Sequence, residues 1–96
     1  MQVKLYTIRD LVAGECGPIF VSKNDGLAVR QSCQLLAGVN DVAEYSLYCV
    51  GTFDTENMEM VEKVPHEIEF HLPYKAYMER LETMQAKQTF IKEAQL

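Results

Sequence analysis

The chain has 96 residues, a hydrophobic share of 48%, a charged share of 24% and a net charge of −5. That is one domain's worth of ordinary globular composition, which excludes disorder of the whole chain. No apolar run approaches the roughly 18–20 residues that span a bilayer, and an acidic protein meets long-range repulsion on approaching phosphate.

The acidity is unevenly placed. Residues 1–53 sum to −1, residues 54–72 to −5 and residues 73–96 to +1. The acidic middle holds Asp54, Glu56, Glu59, Glu62, Glu67 and Glu69 against Lys63. The rest is near neutral and can present a local basic patch. Cys16, Cys33 and Cys49 are odd in number and irregularly spaced, which is neither a disulfide framework nor a CxxC zinc pattern. Reduced thiols are expected. The N-terminus carries no signal-peptide pattern.

In chain order, residues 2–8 are rich in Val, Leu, Tyr, Thr and Ile and predict a strand. Residues 10–18 hold Gly14, Gly17 and Pro18 and predict a long loop, closed by a short strand over 19–21. Ser22 or Asn24 can cap a following helix, with Asp25 suited to its positive end. That helix is expected over 25–36, stopped by Gly38, with Ala28, Ser32, Leu35 and Leu36 on one stripe beside Val29 and Cys33. Residues 44–53 predict the longest strand, with Tyr45, Leu47, Cys49 and Phe53 on one face and Tyr48 and Val50 on the other. A turn at 54–57 leads to a partner strand over 58–64.

After Pro65, residues 66–72 alternate, with Ile68, Phe70 and Leu72 facing one way and Glu67, Glu69 and His71 the other. Pro73 suits the first turn of a last helix reaching about residue 94. The expected class is therefore α+β: a mostly antiparallel sheet of four to five strands ordered β-β-α-β-β, with one packed helix and a C-terminal amphipathic helix. Residues 1–72 form the core, and 73–96 are either part of the same domain or its oligomerisation arm.

The last helix has the clearest period. Tyr74, Tyr77, Leu81, Met84 and Ile91 recur at three- and four-residue steps, with Gln88 the polar member of the heptad. Such a stripe either docks on the chain's own sheet or pairs with another copy, and a polar seam residue suits register-fixing at an interface. A homodimer or higher oligomer is the expected association.

No Walker loop, GxGxxG, HExxH or GxSxG is present, and no catalysis, cofactor or metal is expected. His71 shares a strand face with Glu67 and Glu69, a geometry that a solvated face explains better than a metal does. Asn24, Asp25 and Gly26 at a helix start, helped by Lys23 and Arg30, offer backbone N–H groups to a phosphate, although an ordinary cap accounts for them. The aromatics Tyr6, Phe20, Tyr45, Tyr48 and Phe53 are either a stacking face for single-stranded nucleic acid or, as in most small domains, core.

Four blocks carry a family likeness. They are Val3-Lys4-Leu5-Tyr6-Thr7-Ile8-Arg9-Asp10, Pro18-Ile19-Phe20, Asn24-Asp25-Gly26-Leu27-Ala28-Val29-Arg30, and the stretch Tyr45–Asp54. In order and spacing they resemble the small nonstructural protein of gokushoviruses, which are microviruses with single-stranded DNA genomes. The likeness spans roughly residues 1–60. It implies a phage protein of the host cytoplasm, non-enzymatic, associated with single-stranded DNA during replication or genome packaging. Lys4, Arg9, Lys23 and Arg30 lie in the family-like part and are the expected nucleic-acid contacts. Residues 38–43 are shorter than the family's loop and lack its basic residue and His-Pro pair, and residues 65–96 are an addition. The alternative is a protein-interaction module, with a host or capsid protein as partner and no direct nucleic-acid contact.

Overall fold

A computed structural model describes the backbone of residues 1–94 and the side chains of residues 1–85. Its centre is an antiparallel pair of long strands, β1 (Gln2–Asp10) and β4 (Tyr45–Asp54), in register from Gln2↔Asp54 to Asp10↔Tyr45. Both are dense in β-branched and aromatic residues. On the outer side of β1 lie β2 (Glu15–Cys16) and β3 (Phe20–Ser22). On the outer side of β4 lie β5 (Glu59–Glu62) and β6 (His66–Ile68). The sheet is thus four strands wide but six in number. The expected class holds. The extra strand arises inside the expected 10–18 loop, where Asp10 Oδ1 accepts from the N–H groups of Val12 and Ala13 at 3.0 Å and Gly14 takes φ +71°. That tight turn folds Glu15 and Cys16 back onto Asp10 and Arg9.

Two helices cover one face. The first, α1 (Asp25–Leu35), is capped by Asn24, whose side chain accepts from Leu27 N–H at 2.9 Å. Ala28, Ser32, Cys33 and Leu36 are its buried stripe. Leu35, expected on that stripe, is 65% exposed. At about 100° per residue Ala28, Ser32, Leu36 and Cys33 span one arc, and Leu35 lies just past its Ala28 edge, on the flank beside Phe20 and Ile19. The second, α2 (His71–Ala94), begins two residues earlier than Pro73 suggests. Glu69 Oε1 accepts from His71 N–H at 2.6 Å and satisfies the first turn. The helix therefore cuts the 66–72 alternation short, and Leu72 is 75% exposed rather than facing in with Phe70.

The core is Tyr6, Ala28, Cys33, Leu36, Leu47, Cys49, Phe70 and Tyr74. The β1–β4 register slips between Leu5↔Gly51 and Tyr6↔Cys49, leaving Val50 as an extra residue. This bulge reverses the alternation, so Phe53, paired with Val3 and Met60, lies on the face opposite Leu47 and Cys49 instead of sharing it. A second slip, between Thr52↔Glu62 and Phe53↔Met60, leaves Val61 extra on β5. Between the two bulges sits Gly51.

Candidate binding surface

The four cations picked out in the sequence do not form one patch. Lys4 Nζ stands 3.7 Å from Asp25 Oδ1, and that same oxygen accepts a 2.5 Å hydrogen bond from the Tyr6 hydroxyl. Lys4 therefore serves a network that ties β1 to the start of α1. Arg9, on the opposite face of β1, donates from Nη2 to Gly14 O at 3.1 Å and from Nη1 to Cys16 Sγ at 3.4 Å. It braces the first hairpin. Only Lys23 and Arg30 converge. Both are exposed, neither has an ion pair among the described residues, and they flank a shallow depression with Val21, Ser22, Leu27 and Gln31.

That depression is one end of a longer groove. Gln31 also lines a second concavity with Phe20, Gln34 and Leu35. Phe20 and Leu35 in turn line a third with Ile8, Gly17, Pro18 and Ile19. The groove runs between β3 and α1, cationic at the Lys23 end and apolar at the Ile19 end. Phe20 forms its floor, stacked on Tyr6 with ring centroids 5.9 Å apart. Gln31, Gln34, Leu35 and Ile19 were not anticipated as surface residues. A second leucine beside Leu36 and an isoleucine after Pro18 were the available signals.

The other expectations resolve locally. Asn24 Oδ1 occupies the α1 N-terminus, the ordinary cap. His71 Nε2 donates to Tyr45 O at 2.9 Å while its Nδ1 lies 3.4 Å from Glu69 Oε1. Glu69 and His71 thus join α2 to β4, and no group of metal-ligating side chains occurs among the described residues. Of the aromatic set, Tyr6 is core and the rest are half-buried. The α2 stripe is divided: Tyr74 is buried, with its hydroxyl donating to Leu36 O at 2.8 Å. Tyr77 packs against the core, Leu81 is half-buried and Met84 is 57% exposed. Tyr74 is thus an internal residue. Gln88 and Ile91 lie outside the described side chains.

Burial, then the hydrogen bond to Asp25, pushes the Tyr6 hydroxyl well above its ordinary value of 10.0. Burial also pushes up the Cys33 and Cys49 thiols from 9.0. All three groups keep their protons longer in the folded chain than in the unfolded one. The stability they contribute is complete below the ordinary values and is lost as pH rises past them, first for the thiols and then for the phenol. The urea midpoint should therefore fall between about pH 8.5 and 10.5. Tyr6→Phe should flatten the upper part of that decline, and a wild-type midpoint independent of pH over this range would contradict the assignment.

A family model described as Phage ORF5 protein matches residues 3–71, from the first strand to the start of α2. The chain belongs to that family. The match continues through β6 and so reaches further than the four blocks near residue 60 suggested. It covers the sheet from Val3 onward and α1, including both walls of the groove, and leaves α2 beyond its first residue outside. No curated protein and no solved structure matches. Among the described residues, no helix is long and apolar enough to cross a membrane.

Proposed function

We propose that this phage protein is a non-enzymatic nonstructural protein of a gokushovirus, and that it associates with single-stranded DNA in the host cytoplasm during replication or genome packaging. The observation that supports it is the convergence of Lys23 and Arg30 on a groove whose described lining holds no carboxylate. Each phosphate neutralised on a single strand contributes about −0.7 to the slope of log affinity against log salt. Two cations per chain thus give a slope of about −1.4, and a dimer engaging both sites about −2.8. Titration of labelled oligo-dT from low salt upward should show this. Lys23→Glu with Arg30→Glu should abolish binding, whereas Arg9→Ala should change it little. No binding near 50 mM salt at protein concentrations above the non-specific range of about 10⁻⁴–10⁻⁶ M would end this reading.

Two cations on an acidic chain bind weakly, so avidity is needed. We place self-association on α2. The radius of gyration is 17.0 Å, against about 12.5 Å for a compact chain of this length. The helix is about 36 Å long, and among its described side chains Tyr74, Tyr77 and Met78, in the first turns, pack on the core. Its flank carries a concavity lined by Pro73, Ala76, Glu79, Arg80, Thr83 and Met84, all from the same helix. A two-fold pairing would cover Leu81, Met84 and Ile91. Leu81→Glu should convert an oligomer into a folded monomer in sedimentation. A wild-type chain that is monomeric at tens of micromolar refutes the pairing, and outright unfolding of Leu81→Glu assigns the helix to the core.

A protein-interaction module is the second reading, favoured by the acidic rim. Glu59, Glu62, Glu67 and Glu69 are all exposed along β5, β6 and the turn into α2. They would face a basic host or capsid protein. Recovery of one stoichiometric partner from host lysate, unaffected by nuclease and lost in 1 M salt, distinguishes this reading from the first.

A further inference from the structure

We infer that the groove between β3 and α1 receives an extended peptide from a partner protein, added as a strand to the open edge of β3. Such a peptide would carry an acidic residue at one end and apolar residues along the rest. This goes beyond the nucleic-acid reading and shares only Lys23 and Arg30 with it.

The backbone of β3 is the first part of the case. Among the described residues β3 pairs with β1 alone, through Lys4↔Ser22, Leu5↔Val21 and Tyr6↔Phe20. Its outer edge therefore has no strand beside it among the described residues, and Val21 at its centre is 52% exposed. The edges on the far side of the sheet are blunted by Glu59, Glu62 and Glu67, a common protection against stray pairing. The β3 edge carries no carboxylate, and the charge beside it is Lys23, just past its end. Its flanking apolar residues are instead exposed, Ile19 by 58%.

The helix supplies the second wall. Its N-terminal residues Leu27, Arg30 and Gln31 lie by Ser22 and Lys23, while Leu35 lies by Pro18 and Ile19. Thus α1 runs antiparallel to β3 and the two enclose a channel. From Leu27 to Leu35 the helix rises about 12 Å, the length of about four extended residues. An open strand edge beside a helix is the geometry in which strand addition gives affinity through main-chain hydrogen bonds and selectivity through side-chain pockets.

Charge and polarity set the sequence such a peptide needs. Lys23 and Arg30 have no carboxylate beside them in the described lining, so the end above them takes an acidic side chain. Gln31 and Gln34 offer amides in the middle. Ile8, Pro18, Ile19 and Leu35 form an apolar end with nothing to hold a phosphate. A nucleic-acid strand satisfies the first feature. A peptide satisfies all three and also has backbone N–H and C=O groups to match those of β3.

The test is selection of a randomised seven-residue peptide library on the full chain, with counter-selection on Lys23→Glu/Arg30→Glu. The expected winners have Asp or Glu at one end followed by alternating Val, Ile or Leu. A fluorescein-labelled winner should shift amide resonances at Phe20–Ser22 and along Leu27 to Leu35. Leu35→Asp and the double charge reversal should each weaken it by about tenfold or more. These side chains are exposed, so both variants should keep the wild-type circular dichroism. Labelled oligo-dT is titrated in parallel. Failure to enrich any peptide over the counter-selected variant overturns the proposal, as do shifts that map away from β3 and α1. Oligo-dT binding in the groove with no enriched peptide overturns it while leaving the nucleic-acid reading intact.

Discussion

Gly51→Val should leave the chain unfolded, and Gly51→Ala should fold with a marked loss of stability. The cause is the crossing of two bulges. Val50 is extra on β4 relative to β1, and Val61 is extra on β5 relative to β4, so the sheet coils sharply at Gly51. A Cβ built there would collide with the backbone oxygen of Glu62 and come within 2.8 Å of Met60 Cε. The methionine can swing aside, but the carbonyl cannot move without parting β4 from β5. Overpacking a core by a methyl costs roughly 1–3 kcal/mol where side chains can yield. Against backbone the upper part of that range is the expectation for alanine. A branched side chain exceeds it, and a domain this small holds only about 5–14 kcal/mol in total. Urea denaturation of the alanine variant and one-dimensional NMR dispersion of the valine variant check the two statements. A valine variant with a native spectrum would mean that β5 does not approach Gly51 this closely.

Gly51 also shows where sequence reading stops. The block around it was legible as a long strand because Tyr45, Leu47, Cys49 and Tyr48 report burial on both faces. The bulge at Val50 was not, because a slip of one residue leaves composition unchanged while turning Phe53 to the other face. The start of α1 was legible for a local reason: Asn24 acts on an N–H three residues away. The start of α2 was misplaced because Glu69, rather than Pro73, decides it, and an alternating strand pattern masks a cap two residues before His71.

The same division holds for the surface. Lys23 and Arg30, seven residues apart with a helix start between them, were recognisable as neighbours. Lys4 and Arg9 were not recognisable as engaged, since Asp25 and the Gly14 carbonyl reach them only once the chain has folded. Lys4 in turn belongs to the Tyr6–Asp25 bridge, across nineteen positions of sequence. Local chemistry is written locally. The groove between β3 and α1 is the product of two elements docking, so its residues carry no common motif.

Phe70→Ala should cost about 3–5 kcal/mol, the range for removing a fully buried aromatic ring. The Phe70 side chain is 0% exposed and stands where β6 becomes α2. Its ring lies 4.6 Å from the His71 ring and meets Tyr74 edge-on at 6.3 Å, and its carbonyl accepts from Tyr74 N–H at 2.8 Å. Tyr74 in turn donates to Leu36 O at the end of α1. Phe70 is thus the peg on which α2 is hung against α1 and the sheet, and an alanine would leave a void beneath all three. At about 4–8 °C per kcal/mol for a domain of this size, the loss corresponds to a drop of about 12–40 °C in Tm. Leu72→Ala is the matched control. If residues 66–72 were a continuous strand, Phe70 and Leu72 would share a face and both truncations would be severe. With α2 starting at His71, Leu72 points to solvent and its truncation should stay within about 0.5 kcal/mol. Thermal melts of the two variants therefore read out where the helix begins. Near-equal losses would put the strand back and undock the helix start. A large loss at Phe70 alone fixes α2 on the core at its first turn.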